Sequence, residues 1–122
     1  MNKKSILIVS SPSENNFILA NKIHNCIDKE SISSEILNLE DYCLPIFTQP
    51  YFNENNKDYL DIVKLITNKF IIADGIIICA PEYNGSIPPI VNNTIAWMSM
   101  STKDWRDSFN DKIGLVCSSS GG

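Results

Sequence analysis

Side chains suited to binding an anion are concentrated in the stretch SSPSENN, residues 10–16, which follows the apolar run ILIV. A segment with helical spacing comes next. Backbone N–H groups at the start of a helix attract anions, and serine hydroxyls and asparagine amides add hydrogen bonds. The stretch has no glycine or lysine, so it is neither a P-loop nor a dinucleotide-binding glycine motif. It suits a monophosphate better than a triphosphate, and a helix cap in a polar turn is the alternative.

A second stretch, APEYNG, ends the apolar run FIIADGIIIC. Asn84 and Gly85 are typical of a tight turn, and Pro81 stops the strand. A turn alone gives no reason for Glu82 and Tyr83. A flat heteroaromatic ligand would use backbone N–H groups, an amide such as Asn84 and an aromatic wall such as Tyr83. At this point the turn and the ligand-binding interpretations both stand.

A third stretch, SSSGG, follows the run IGLVC. Its glycines would let the backbone approach a ligand closely, although an irregular chain end would have the same composition. No spacing of histidine, cysteine and aspartate indicates a metal site.

The composition excludes several classes of protein. The chain has 122 residues, of which 43% are hydrophobic and 20% charged, as expected for one globular domain. Its net charge of -4 argues against a general nucleic-acid binder, which needs a basic face. No apolar stretch reaches the ~18 residues of a membrane span. The cysteines are widely spaced without a C-x-x-C pair, which favours free thiols and a reducing cytoplasm.

The hydrophobic pattern predicts alternating strands and helices. Strands are expected at residues 5–11, 33–39 and 75–80 and from residue 113 onward, and helices at residues 13–30, 59–70 and 88–100. The polar segment 40–58, which contains two prolines, is expected to be a long surface loop. Around the last helix, four side chains are expected to face the sheet with Trp97 beside them: Ile87, Val91, Ile95 and Met98.

This alternation, with continuous apolar strands, predicts an α/β fold in which helices cover both faces of a parallel sheet. Ligands of such sheets bind beyond the carboxyl ends of the strands. The three polar stretches would all lie at that edge.

The segment APEYNGSIPPIVNNTIAWMS resembles the signature of the NADPH-dependent FMN reductase family, approximately P-E-Y-N-x-S-x-P-x-x-L-K-N-A-[IL]-D-W. The matching residues are Pro81, Glu82, Tyr83, Asn84, Ser86, Pro88, Asn93 and Trp97. The departures are Val91, Asn92, Thr94 and Ala96, which stand where the family has leucine, lysine, a small residue and aspartate. The first stretch departs further, because Ser13 stands where relatives have an arginine.

The resemblance implies a flavodoxin-like α/β/α domain over residues 1–122, with a parallel sheet of order 2-1-3-4, C-terminally incomplete relative to the family. It implies FMN at the carboxyl edge of the sheet. The phosphate would lie on the first loop and the isoalloxazine against the second, while the third loop would close the other side. The residues implied are Ser11, Ser13, Asn15, Asn16 and Phe17 in the first loop, Pro81, Glu82, Tyr83 and Asn84 in the second, and Ser119, Ser120 and Gly121 in the third.

The implied activity is hydride transfer from NADPH or NADH through FMN to a quinone, azo compound or similar small acceptor. No catalytic acid or base is required, because the protein holds the reacting rings in contact. The family also implies a homodimer or higher homo-oligomer, with Glu82 near a second subunit. Two alternatives are a flavodoxin-like electron carrier and a non-catalytic remnant or interaction module.

Overall fold

A computed structural model describes residues 3–11, 14–27 and 31–119 of the chain. The strands are β1 (Ser5–Ser10), β2 (Ser33–Asn38), β3 (Gly75–Cys79) and β4 (Ile113–Cys117), and the helices are α1 (Glu14–Ile27), α2 (Gln49–Ile72) and α3 (Pro89–Ser101). Short 3-10 helices lie at Leu39–Asp41 and Trp105–Ser108. The predicted alternation is confirmed.

The four strands form one parallel sheet in the order β2-β1-β3-β4. The chain therefore reverses its direction of winding after β2, and this order confirms the flavodoxin-like prediction. Beyond the carboxyl ends of β1 and β3 lies the crevice in which open α/β sheets bind ligands.

The two faces of the sheet pack against different helices. On one face, α2 and α3 cover a core that includes Leu7, Leu37 and Ile66. On the other face, α1 buries Ile8 and Ala20 together with Cys79. Side chains that alternate along a strand point to opposite faces, so continuous apolar strands supply both cores.

The edge strand β4 is the exception to this burial. Ile113 is 82% exposed and Val116 70% exposed, although the sequence of the strand is as apolar as that of β3. An apolar edge strand of this kind pairs readily with further polypeptide.

The prediction of a surface loop over residues 40–58 is wrong in its second half, because α2 begins at Gln49. The Thr48 hydroxyl caps this helix by accepting a hydrogen bond from the Tyr51 N–H (3.3 Å). Pro50 lies in the first turn, where its missing N–H is not needed. Phe52 then packs against Trp97, with ring centroids 5.5 Å apart. Tertiary packing thus stabilises a helix whose first half the asparagine-rich sequence does not predict.

Around α3, one of the expected core residues lies elsewhere. Val91 and Met98 are buried against the sheet and Trp97 is fully buried beside them, as predicted. Ile87 is 49% exposed because it precedes the helix, in a loop that turns its side chain away from the core.

Candidate functional site

Three loops leave the sheet at adjacent points of its carboxyl edge. Ser10 is level with Cys79, and Cys79 is level with Cys117. The Ser11 N–H donates to the Cys79 carbonyl (3.0 Å), and the Ala80 N–H donates to the Cys117 carbonyl (3.1 Å). The described parts of the three polar stretches are therefore brought together, as predicted.

The hydroxyls at the end of β1 are buried without protein partners. Ser10 and Ser11 are each 1% exposed, and neither Oγ has a hydrogen-bond partner in the part of the chain that the structure describes. An unsatisfied buried polar group costs about 1–3 kcal/mol. Such groups beside the start of the 14-residue helix α1 fit an anionic ligand that would accept their hydrogen bonds.

The other residues expected in the first loop have different surroundings. Asn15 and Phe17 are exposed, whereas Asn16 is completely buried. The Asn16 side chain accepts a hydrogen bond from the Ser119 N–H (3.0 Å) and donates one to the Ser119 carbonyl (3.2 Å). The first and third loops are therefore directly bonded to each other. Three expected site residues lie outside the described residues: Ser13, Ser120 and Gly121.

The second loop contains the predicted tight turn. Backbone hydrogen bonds join Tyr83 and Ser86 in both directions, at 2.9 and 3.0 Å. Between them Asn84 and Gly85 have positive φ angles, 52° and 74°, as a turn suited to a β-hairpin requires. The Glu82 carboxylate accepts a hydrogen bond from the Gly85 N–H. This contact gives Glu82 a structural role that the sequence did not reveal.

A groove of about 820 Å³ lies beside this turn. The turn supplies Tyr83 and Asn84, α3 supplies Ile90, and the segment before α2 supplies Ile46 and Phe47. Among the described residues that line the groove, none carries a charge. Tyr83 is 43% exposed and Ile46 83% exposed, so the groove presents apolar surface to a ligand or partner.

Two residues of α3 hold the segment that forms the far wall of the groove. The Asn93 carboxamide accepts from the Phe47 N–H (2.7 Å) and donates to the Pro45 carbonyl (3.0 Å). The Trp97 Nε1–H donates to the same carbonyl (2.8 Å). Sequence reasoning placed segment 44–47 in a surface loop and missed its part in the groove. The match of Asn93 and Trp97 to the family signature was the available signal.

Cys79 lies beneath the site and is not available as a nucleophile. Burial, helped by contact with Cys117, raises the pKa of the Cys79 thiol to about 12. The two sulfur atoms are 3.5 Å apart, and both thiols are free. Across residues 3–11, 14–27 and 31–119, no group of three or more His, Cys, Asp or Glu side chains could hold a metal ion.

The sequence profile of the NADPH-dependent FMN reductase family matches residues 4–122. The chain therefore belongs to this family, and the resemblance carried by the second loop and α3 is confirmed. The expected oxidoreductase class, with FMN as cofactor and NADPH as hydride donor, agrees with the description of the family.

The curated proteins that are similar in sequence include one of unknown function and one reductase. An uncharacterized MG342 homolog from Mycoplasma pneumoniae is 25% identical over 119 residues, which are 96% of this chain and 68% of that protein. A 2-hydroxy-1,4-benzoquinone reductase from Burkholderia sp. is 30% identical over 80 residues, which are 65% of this chain and 40% of that protein.

Solved structures of flavoenzymes share the fold. FerB, an NAD(P)H:(acceptor) oxidoreductase from Paracoccus denitrificans, matches with a TM-score of 0.71 at 20% identity over 98% of this chain and 62% of its own. An azoreductase from Bacillus anthracis matches with a TM-score of 0.64 at 16% identity over 78% of this chain and 55% of its own. The chain thus spans roughly two thirds or less of the length of these relatives.

Proposed function

We propose that this chain binds FMN at the carboxyl edge of its sheet and uses it in an NAD(P)H-dependent oxidoreductase reaction. The observation that carries the proposal is the pair of buried hydroxyls, Ser10 and Ser11, beside the N-terminus of α1. A phosphate would satisfy both hydroxyls, and the N-terminus of a helix attracts such an anion. Membership of the FMN reductase family identifies the molecule that would bring this phosphate.

Each of the three loops would contact a different part of FMN. The first loop would hold the phosphate and ribityl end through Ser11, Ser13, Asn15 and Phe17, while the Asn16 carboxamide would stay bonded to the Ser119 backbone. The second would support the flavin ring through Pro81, Glu82, Tyr83 and Asn84, and the third would close the other side through Ser119, Ser120 and Gly121. Because the bond between Glu82 and Gly85 fixes the turn, the backbone N–H groups of this loop are ordered before any ligand binds.

FMN, when bound, would supply the redox chemistry, which is hydride transfer from a nicotinamide and onward reduction of an acceptor. The side chains of this chain exclude water and orient the rings. No proton-transferring side chain is assigned. Cys79 is kept protonated at neutral pH by its burial, so the protein presents no thiolate at the base of the second loop.

The groove beside Tyr83 is proposed as the acceptor site. Its apolar walls, formed by side chains such as Ile46 and Ile87, suit a small aromatic molecule such as a quinone or an azo compound. The Burkholderia relative is named as a benzoquinone reductase, and structural neighbours are named azoreductases, which supports this class.

The proposal also covers the extent of the domain, its oligomeric state and its location in the cell. Residues 1–122 are proposed to act as one flavin-binding domain that assembles as a homodimer or higher homo-oligomer in the cytoplasm. The exposed apolar strand β4 and the exposed Ile46 support association, because isolated apolar surfaces of this kind favour contact with another surface. None of the described helices is long and apolar enough to cross a membrane.

The test is a titration of the purified chain with FMN, followed by anaerobic addition of NADPH and of NADH. We expect quenching of flavin fluorescence, co-elution of FMN with the protein and bleaching of the flavin absorption band. Reduction of added benzoquinone should follow. Binding without reduction by either nicotinamide would favour an electron carrier. Failure of a folded chain to bind FMN would contradict the proposal and favour a non-catalytic module.

A further inference from the structure

The contact between Asn16 and Ser119 joins two walls of the proposed flavin site. Asn16 lies in the first turn of α1, and Ser119 follows β4, 103 residues further along the chain. The carboxamide of Asn16 pairs with the backbone of Ser119 through both its oxygen and its nitrogen. A side-chain amide that meets both groups of one peptide unit fixes the position and the orientation of that unit.

Because Asn16 is buried, the loss of its hydrogen bonds to Ser119 would be costly. The residue is 0% exposed, so an amide that lost Ser119 would have no water to replace it. Buried amides are costly when unpaired, and the backbone of the third loop is therefore held where Asn16 places it. The Ser10 and Ser11 hydroxyls, which have no partner among the described residues, are on the same edge of the sheet.

We infer that Asn16 is a positioning residue that holds the Ser119 backbone, at the start of the third loop, against the first turn of α1, so that these two walls of the flavin site keep a fixed relative position. This inference rests on the proposed function. Asn16 acts through the Ser119 backbone, and the side chain of Ser119 takes no part in the pairing. Loss of Asn16 would then weaken the hold on the flavin ring as well as on the phosphate.

The experiment compares Asn16→Leu with Asn25→Leu. Both changes replace an asparagine on α1, but Asn25 is exposed on the last turns of the helix, away from the loops. We expect Asn16→Leu to weaken FMN binding about tenfold, as the loss of two buried hydrogen bonds predicts. It should also make the bound flavin more accessible to iodide quenching at saturating FMN. Asn25→Leu should leave the dissociation constant and the quenching unchanged.

The results separate this inference from the proposed function. If the unaltered chain binds FMN and Asn16→Leu has the same affinity and iodide accessibility, Asn16 is merely structural and the inference is overturned, whatever happens to the melting temperature. If the folded, unaltered chain binds no FMN, the proposed function fails and the inference fails with it.

A measurement on the unaltered chain covers the case in which Asn16→Leu does not fold. Hydrogen exchange at the Ser119 amide should be slow before FMN is added, because Asn16 is its acceptor. FMN should then slow exchange in residues 14–16 and at Ser119 together. Exchange at Ser119 as fast as in an unfolded peptide, or protection by FMN in the first loop alone, would overturn the inference.

Discussion

Two regions at the same edge of the sheet differ in how their polar groups are satisfied. In the segment before α2, the Phe47 N–H and the Pro45 carbonyl are bonded to Asn93 and Trp97 of α3. At the end of β1, the hydroxyls of Ser10 and Ser11 are buried and have no partners in the described part of the chain. The polar groups of the first region are satisfied within the protein, whereas under the proposed function those of the second would be satisfied by the ligand.

This difference separates scaffold from binding surface. Folding normally pairs buried polar groups, so a group left unpaired is unfavourable for stability and is retained for another reason. Asn93 and Trp97 belong to the family signature, yet their hydrogen bonds are made within the protein. Their part in the proposed function is therefore to shape the groove, and the contact with FMN falls to the loops. Substitutions in the two regions should have opposite consequences for stability.

The largest effect is expected at Trp97, which is fully buried and packs against Phe47, Phe52 and Tyr59. Trp97→Ala should reduce the free energy of unfolding by about 3–5 kcal/mol, because it leaves a large cavity and removes the bond to Pro45. Urea denaturation measures this. The control is Trp105→Ala: Trp105 is 50% exposed, and its removal should cost much less. Equal losses of unfolding free energy in the two variants would mean that Trp97 does not stabilise the segment before α2.

A smaller loss is expected at Asn93. Asn93→Ala should destabilise the chain by about 1–3 kcal/mol, because the Phe47 N–H loses its acceptor. Its neighbour Asn92 is exposed on the same helix, so Asn92→Ala controls for helix propensity and should have little effect on the urea midpoint. If the two variants were equally stable, segment 44–47 would be held by something other than Asn93.

Ser10→Ala and Ser11→Ala should not lower the free energy of unfolding, in contrast to the substitutions of Trp97 and Asn93. Without FMN, each variant should match the unaltered chain or exceed its stability by up to about 1 kcal/mol, because an unpaired buried hydroxyl is removed. FMN affinity should fall about tenfold in each. Thermal unfolding with and without FMN measures both effects.

The control for the serine variants is a strand serine that has a partner. The Ser34 hydroxyl lies 2.6 Å from Nδ1 of His24, so Ser34→Ala should lower stability and leave FMN affinity unchanged. A clear loss of stability in Ser10→Ala and Ser11→Ala without FMN would show that those hydroxyls are satisfied within the protein. The contrast between the two regions would then disappear.

The sequence predicted the sheet better than the site, for physical reasons. Continuous apolar runs such as residues 75–79 identify buried strands, because both faces of a parallel strand are covered. The beginning of α2 was missed because its stability depends on packing of Phe52 against Trp97, a contact that local propensity does not contain.

Within the site, local features were predictable and long-range pairings were not. The positive φ angles of Asn84 and Gly85 follow from their residue types. The bond between Asn16 and Ser119 joins residues 103 positions apart, and nothing in either residue type specifies the other. Nor did composition show that Glu82 bonds its own turn, since its carboxylate equally suits a contact with ligand or partner.

The smallest effect on stability is expected at the opposite, amino edge of the sheet. This edge gives a reference for the comparison of the two regions at the carboxyl edge. There the Asp74 carboxylate accepts a hydrogen bond from the Ser5 N–H (2.9 Å) and lies 3.6 Å from the Lys4 ammonium. The bond from Ser5, aided by Lys4, lowers the pKa of Asp74. A lowered pKa stabilises the fold above the unfolded-state value of about 3.9, and this contribution is lost as the pH falls through the lower folded-state value.

Asp74→Ala should therefore be slightly less stable than the unaltered chain at pH 6–7, and the difference should shrink below about pH 4. Urea midpoints measured across this range test whether the loss of stability shrinks on acidification.

Asp111→Ala would not serve as a control, because Asp111 has a positive φ angle and its replacement adds backbone strain. Exposed Asp61 on α2 is a better one, because Asp61→Ala controls for the loss of one exposed carboxylate. A difference that grew on acidification would mean that Asp74 is stabilised in its protonated form, contrary to its contact with the Ser5 N–H. FMN affinity should be the same in both variants, because neither residue approaches the carboxyl edge.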